Sequence, residues 1–203
     1  MAAALDDVGT HVIEAGFPVN SDAEFRAVSD IASSTSTTTC GLARVVDEDV
    51  EAALDSGVEL VHVFASTSDV QIEDSMHATR EQVRERAVES VERVKEAGVE
   101  CMFSPMDATR TSEDYLLDIV EATTRAGADW LNIPDTVGVA TPTRFAKLVE
   151  TVVDAAVDAR VDVHTHDDFG MAAANAVTGF ENGAEQAQVS VNGIGERAGN
   201  AAY

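Results

Sequence analysis

Two histidines in the last quarter of the chain have the spacing of a metal site. His164 and His166 follow residues 161–163, a mostly β-branched run that predicts a strand. Side chains at positions i and i+2 of a strand lie on the same face, about 7 Å apart along the chain. Two imidazoles on one face can each offer a ring nitrogen to a divalent cation. Two ordinary polar residues at a strand end would have the same spacing, so the pair alone leaves both interpretations open.

A glycine-rich loop follows the last predicted strand. Residues 186–191 predict that strand, and Gly193, Gly195 and Gly199 come after it, ahead of Asn200. Such a loop leaves backbone N–H groups free and lets a ligand approach the main chain closely. Most glycines only allow turns, so the loop alone is weak evidence of a binding site.

Together, residues 164–175 and 192–200 are far more specific than either segment alone. They resemble the signature of a family of metal-dependent, acetyl-CoA-condensing TIM barrels, which includes 2-isopropylmalate synthase, citramalate synthase and homocitrate synthase. The resemblance covers nearly the whole chain. It implies that His164, His166 and Asn200 bind a divalent metal, which would be Mg²⁺, Mn²⁺ or Zn²⁺. It also implies that acetyl-CoA meets the loop residues Gly193, Gly195, Glu196 and Arg197, although Glu196 and Arg197 could equally form a pair that stabilises the loop.

The resemblance also assigns roles to polar residues at other predicted strand ends. The keto-acid pocket would be lined by His62, Ser104, Asn132 and Thr136. Glu14 is a candidate catalytic residue from its place at the end of the first predicted strand, as a partner of an active-site arginine, and the alternative is a solvated strand-end carboxylate. Many family members have a glutamate where this chain has Met106, and a thioether cannot act as a base. Asp107 is therefore predicted to be the base that accepts the proton, unless this enzyme uses the site differently.

Seven predicted strands alternate with helices along the chain, at 11–16, 37–42, 60–65, 99–103, 130–133, 161–163 and 186–191. This alternation predicts an α/β fold with a parallel sheet and right-handed crossovers. A doubly wound sheet fits the strand count, but no G-x-G-x-x-G follows the first strand. The resemblance favours a TIM (β/α)8 barrel that lacks the first strand and most of the last helix. Residues 1–203 are then one incomplete catalytic-barrel domain.

The composition excludes several classes of partner. The net charge is −24, from 37 acidic and 13 basic residues, and such a surface repels nucleic acid. No apolar run approaches the ~20 residues of a membrane span, and no signal peptide is evident, so a cytoplasmic protein is expected. Abundant acidic residues with only two lysines are typical of a halophilic organism. Cys40 and Cys101 stand in apolar, strand-like surroundings and are predicted to be buried small hydrophobes.

The resemblance implies an acyltransferase that joins acetyl-CoA to a 2-oxoacid in a Claisen-type condensation and then hydrolyses the thioester. The first expectation is 2-isopropylmalate synthase in leucine biosynthesis, a homodimer when full-length, with citramalate and homocitrate synthase as alternatives. A related lyase of the HMG-CoA type would have a cysteine in the glycine loop, and residues 192–203 contain none. The family's first-strand Arg-Asp pair, in which the Asp is a metal ligand, has no counterpart here. A catalytically inert fragment is therefore a further alternative.

Overall fold

Seven parallel strands form one curled sheet. The protein is described by a computed structural model that covers residues 1–156 and 158–203. The strands are β1 Val12–Gly16, β2 Thr38–Arg44, β3 Leu60–Ser66, β4 Glu100–Met106, β5 Trp130–Asp135, β6 Arg160–Thr165 and β7 Gln186–Gln188. Their spatial order follows the chain, so β1 and β7 are the two edges of the sheet. The predicted TIM barrel short of one strand is confirmed.

Eight α-helices within the described residues connect and cover the strands. They are α1 Ala2–Asp7, α2 Asp22–Ser34, α3 Asp47–Asp55, α4 Asp69–Asp74, α5 Arg80–Glu96, α6 Glu113–Ala126, α7 Pro142–Ala155 and α8 Ala172–Glu181. Thr79 and Gln82 form a complete capping box at the start of α5, each side chain bonding the other residue's backbone N–H. In the part of the chain that the structure describes, no helix has both the length and the hydropathy of a membrane span.

Ser21 and Glu24 have the spacing of a capping box at the start of α2, but they form only half of one. The Ser21 hydroxyl accepts from the Glu24 backbone N–H, as a capping box requires. The Glu24 carboxylate instead accepts from the Phe17 backbone N–H at 2.9 Å and from the Asn20 amide at 2.7 Å. A 3₁₀ turn at Pro18–Asn20 brings these donors to Glu24, which explains the difference.

The largest differences from the predicted strand ends are at β4 and β7. β4 continues to Met106, so Ser104 lies within the strand. β7 stops at Gln188, because the chain turns into a short 3₁₀ helix at Val191–Gly193.

Apolar residues fill both faces of the sheet. The larger cluster lies between strands and helices and includes Val63, Phe103 and Phe145. A smaller cluster lies inside the curl, near the amino ends of the strands, and consists of Cys40, Leu60, Met102 and Trp130 with Val12 against them. Cys40 and Cys101 are 1 % and 0 % exposed and are free thiols, which confirms their predicted burial. The polar site lies next to the inner cluster, nearer the carboxyl ends of the strands.

Candidate active site

Five polar side chains form a hydrogen-bonded row across the inner face of the sheet. The Oε2 atom of Glu14 lies 2.8 Å from Nδ1 of His62, and the Nε2 atom of His62 lies 2.7 Å from the Ser104 hydroxyl. The Ser104 hydroxyl donates to Oδ1 of Asn132 at 2.8 Å, and Nδ2 of Asn132 donates to Asp162 at 2.7 Å. The row therefore links β1, β3, β4, β5 and β6 through side chains alone.

Strand geometry explains why these residues meet. His62, Ser104 and Asn132 each lie two positions after a member of the inner apolar cluster, so they point to the same face one layer nearer the carboxyl ends. Inward side chains of a barrel stack in such layers, and its working residues lie at the carboxyl ends of the strands. Three of the predicted pocket residues thus lie together.

Asp162 completes the row and is absent from the predicted site. Its carboxylate is fully buried, and its Oδ1 atom has no hydrogen-bond partner among the described residues. Burial raises the pKa of Asp162 to about 7, although the hydrogen bond from Asn132 opposes this. Its position two residues before His164 is the sequence signal that it faces the same side as the histidines.

Glu14 stands at the other end of the row and is 38 % exposed. Partial desolvation acts to raise its pKa, but the hydrogen bond with His62 and the charges of His62 and His164 outweigh it, so the pKa of Glu14 is lowered. Glu14 therefore favours the carboxylate form. It lines a cleft of about 1000 Å³ between the sheet edges β1 and β7, together with Cys40, His164 and Asn200.

The structure brings His164, His166 and Asn200 together at the carboxyl end of β6. The Nε2 atoms of the two histidines are 3.0 Å apart, and the Asn200 amide lies 3.4 Å from Nε2 of His164. A β-bridge between His166 and Asn200 fixes the two segments side by side. A cation bound to two imidazole nitrogens at about 2.1 Å, at a right angle, holds them about 3 Å apart. The separation is thus that of two ligands of one ion.

The electrostatics of the pair also suit a cation. Burial, followed by the charge of His166, lowers the pKa of His164 to about 4, and burial likewise lowers the pKa of His166. Both imidazoles are therefore neutral near pH 7, the form in which histidine binds metals. The amide of Asn200 can turn its oxygen toward the histidines, because nitrogen and oxygen are assigned from hydrogen-bond partners.

The glycines of the terminal loop hold Asn200 in place. A Cβ atom on Gly195 would overlap Oδ1 of Asn200, and one on Gly199, where φ is +93°, would overlap the Gly193 carbonyl. The Asn200 backbone N–H donates to that same carbonyl at 3.1 Å. Close backbone packing around Asn200 therefore accounts for these glycines. Acetyl-CoA binding by the loop stays a prediction.

Arg197 links the glycine-rich loop to the segment after β6 by hydrogen bonds. Its guanidinium donates to both carboxylate oxygens of Asp168, at 2.7 and 3.0 Å, and to the Thr136 carbonyl at 2.6 Å. Glu196 lies further away, at 3.8 Å. Of the two interpretations of Arg197, these contacts favour a loop-stabilising role, with Asp168 as the main partner.

Asp107 and Thr136 lie on the loops beyond the strand ends. Asp107 is fully buried with φ of +71°, and its carboxylate accepts from Arg110 at 2.6 Å and from Ser68. Its backbone N–H donates to the Thr136 hydroxyl at 2.9 Å. Within the described residues, these contacts place Asp107 in an ion pair and outside the row from Glu14 to Asp162. Its proton-transfer role stays a prediction.

One further group of possible ligands was not predicted. Glu14, Cys40 and His62 each have a ligand atom, and these atoms lie within 4.8 Å of one another. Burial, followed by the charges of Glu14 and Asp162, raises the pKa of the Cys40 thiol well above its usual value. Without a cation, the thiol is therefore protonated.

The whole chain, residues 1–203, matches the family described as HMGL-like. The chain belongs to the HMGL-like family. It is 53 % identical over 202 residues to a probable 2-isopropylmalate synthase of Methanopyrus kandleri, covering 99 % of this chain and 40 % of that protein. It is 45 % identical over 203 residues to 2-isopropylmalate synthase of Sulfolobus acidocaldarius, covering 99 % of this chain and 53 % of that protein.

Solved structures of the HMGL-like family share the fold. Hydroxymethylglutaryl-CoA lyase from Pseudomonas aeruginosa superposes with a TM-score of 0.81 at 24 % identity, over 98 % of this chain and 72 % of that one. At this identity the likeness shows the barrel fold alone. The predicted family is confirmed, and the chain spans about half or less of the two 2-isopropylmalate synthases named above.

Proposed function

We propose that this chain is the metal-binding barrel portion of a 2-isopropylmalate synthase, an acyltransferase that condenses acetyl-CoA with a 2-oxoacid. The observation that carries the proposal is the convergence of His164, His166 and Asn200 at the carboxyl end of β6, with the two Nε2 atoms 3.0 Å apart. The names of relatives at 45 and 53 % identity support this choice among the activities of the family.

His164, His166 and Asn200 would hold the divalent cation, leaving other coordination positions to substrate oxygens. A cation at this place supplies Lewis-acid polarisation of the ketone. The neutral imidazoles keep their lone pairs available, and the packed glycine loop keeps the Asn200 amide beside them. A further ligand would come from the part of the relatives that this chain does not span.

The row of polar side chains would bind the 2-oxoacid and accept the proton that acetyl-CoA loses. His62 and Ser104 lie on the inner face, bonded to each other, and His62 is also bonded to Glu14, which lines the cleft. A substrate oxygen would bind them by replacing one of these hydrogen bonds. Glu14 is ionised, faces the cleft and is hydrogen-bonded to His62. We assign Glu14 the uptake of the acetyl methyl proton, with His62 stabilising the carboxylate that accepts it.

A lyase of the HMG-CoA type is the second candidate, because lyases with this name have the same barrel. The absence of a cysteine from residues 192–203 favours the synthase. Citramalate and homocitrate synthase differ from the first choice in the 2-oxoacid that they accept.

The proposal is tested by thiol release from acetyl-CoA with a panel of 2-oxoacids. The assay compares this chain with a chimera in which it replaces the 202 matched residues of the M. kandleri relative. We expect metal-dependent release by the chimera, and only background release after His166→Ala. Metal-independent turnover, or full turnover by the His166→Ala chimera, would refute the proposed site. Cleavage of an HMG-CoA-type substrate without condensation would favour the lyase.

A further inference from the structure

Glu14, Cys40 and His62 lie next to one another on three adjacent strands. Glu14 is the register partner of Cys40 between β1 and β2, and Cys40 is in turn the partner of Leu60, two residues before His62 on β3. Parallel register therefore brings a carboxylate oxygen, a thiol sulfur and an imidazole nitrogen within 4.8 Å of one another. These three atom types are the protein ligands that Zn²⁺ takes.

The hydrogen bond with Ser104 uses Nε2 of His62 and leaves Nδ1 facing Glu14. Asn132 donates to Asp162, so its Oδ1 atom accepts from the Ser104 hydroxyl. The Ser104 oxygen then accepts from Nε2–H of His62. Metal-bound histidines are held in this way, with the second ring nitrogen donating to a neighbouring oxygen.

Nδ1 of His62 faces the Glu14 carboxylate at 2.8 Å. When Nε2 carries the ring proton, the Nδ1 lone pair and the Glu14 oxygen can bind one cation together, which is either a proton or a metal ion. The thiol of Cys40 stands beside them as a third ligand.

The group is also open to an entering ion. Glu14 and Cys40 both line the cleft of about 1000 Å³ between β1 and β7. Leu60, Met102 and Trp130 also line this cleft, next to Cys40. An ion can therefore enter from the cleft and keep an open position toward it.

We propose that Glu14, Cys40 and His62 form a second cation site, selective for Zn²⁺ or a similarly thiol-binding divalent ion and separate from the site at His164, His166 and Asn200. Binding replaces the proton between Glu14 and His62 and displaces the thiol proton of Cys40, so up to two protons pass to solvent and nothing is oxidised or reduced. A thiolate ligand discriminates against Mg²⁺. The inference does not depend on the proposed condensation.

The test uses Co²⁺ as a spectroscopic substitute for Zn²⁺, titrated into the full chain. A Co²⁺–thiolate bond gives a charge-transfer absorption that oxygen and nitrogen ligands do not give. We expect the band in the unmodified chain and its loss in Cys40→Ser. Cys101→Ser is the matched control, because Cys101 is the other buried free cysteine and packs in the outer cluster. The control and His166→Ala should both keep the band, and Zn²⁺ but not excess Mg²⁺ should displace Co²⁺.

Glu14→Gln provides an independent measurement, because Glu14 is part-exposed and its replacement leaves the core intact. We expect it to weaken Co²⁺ binding by about tenfold or more. Absence of the band in the unmodified chain, its survival in Cys40→Ser, or its loss in His166→Ala would each overturn the second site. If Cys40→Ser does not fold, unchanged Co²⁺ affinity in Glu14→Gln would overturn it.

Discussion

Replacing Asp162 by asparagine should stabilise the metal-free protein at neutral and alkaline pH. Asp162 is fully buried, and burial raises its pKa from the ordinary 3.8 to about 7. The folded state thus binds the carboxyl proton more tightly than the unfolded state does. The stability that comes from the neutral acid is fully present below about pH 4 and is lost as the pH rises through 7.

The size of the effect follows from the difference between the two pKa values. A shift of one unit corresponds to about 1.4 kcal/mol, so the rise from 3.8 to about 7 amounts to about 4 kcal/mol once Asp162 is ionised. Asparagine stays neutral and can keep the hydrogen bond that Asn132 donates. The gain in unfolding free energy for Asp162→Asn should therefore grow by about 2 to 3 kcal/mol between pH 5 and pH 8.

Urea unfolding in the presence of a chelator, repeated across this pH range, measures the gain. Asp154→Asn on α7 removes the same charge from an exposed position and should change stability by less than about 0.5 kcal/mol at each pH. A gain that does not vary with pH would contradict the assigned burial effect. So would a loss of stability at pH 8.

Three other outcomes follow from the structure. Thr79→Ala should destabilise the protein by about 1 kcal/mol in urea unfolding, because it removes the capping box of α5. Thr141→Ala, at the start of α7, where the described residues show no side-chain cap bond, should lower the unfolding free energy much less. Equal losses for the two variants would contradict the capping role of Thr79. Gly195→Ala should displace the Asn200 amide and weaken metal binding measured by calorimetry, with circular dichroism unchanged; unaltered affinity would show that Asn200 is not a ligand. With a net charge of −24, the unfolding free energy should rise with salt concentration, and equal stability in dilute buffer would exclude a halophilic adaptation.

The sequence predicts the order of strands and the place of the histidines well, because both depend on local patterns. Alternation of strands and helices predicts a parallel sheet, and the resemblance to the family favours the barrel over a doubly wound sheet. The i, i+2 spacing determines that His164 and His166 share a face.

What the sequence does not show depends on how distant segments align. The group of Glu14, Cys40 and His62 requires the register between three strands, which no local pattern reveals. The pairing of Arg197 with Asp168 joins residues 29 positions apart. The Glu24 carboxylate bonds the Phe17 backbone N–H and not the Ser21 backbone N–H that a capping box would use, because a turn brings the Phe17 N–H to it.

His164, His166 and Asn200 are proposed to bind one divalent cation together. Electron paramagnetic resonance of Mn²⁺, an ion that the thiol-containing group does not favour, counts the ions bound at this site. We expect one tightly bound Mn²⁺ per unmodified chain and none in His164→Ala or His166→Ala. Unchanged Mn²⁺ binding in both variants would contradict it.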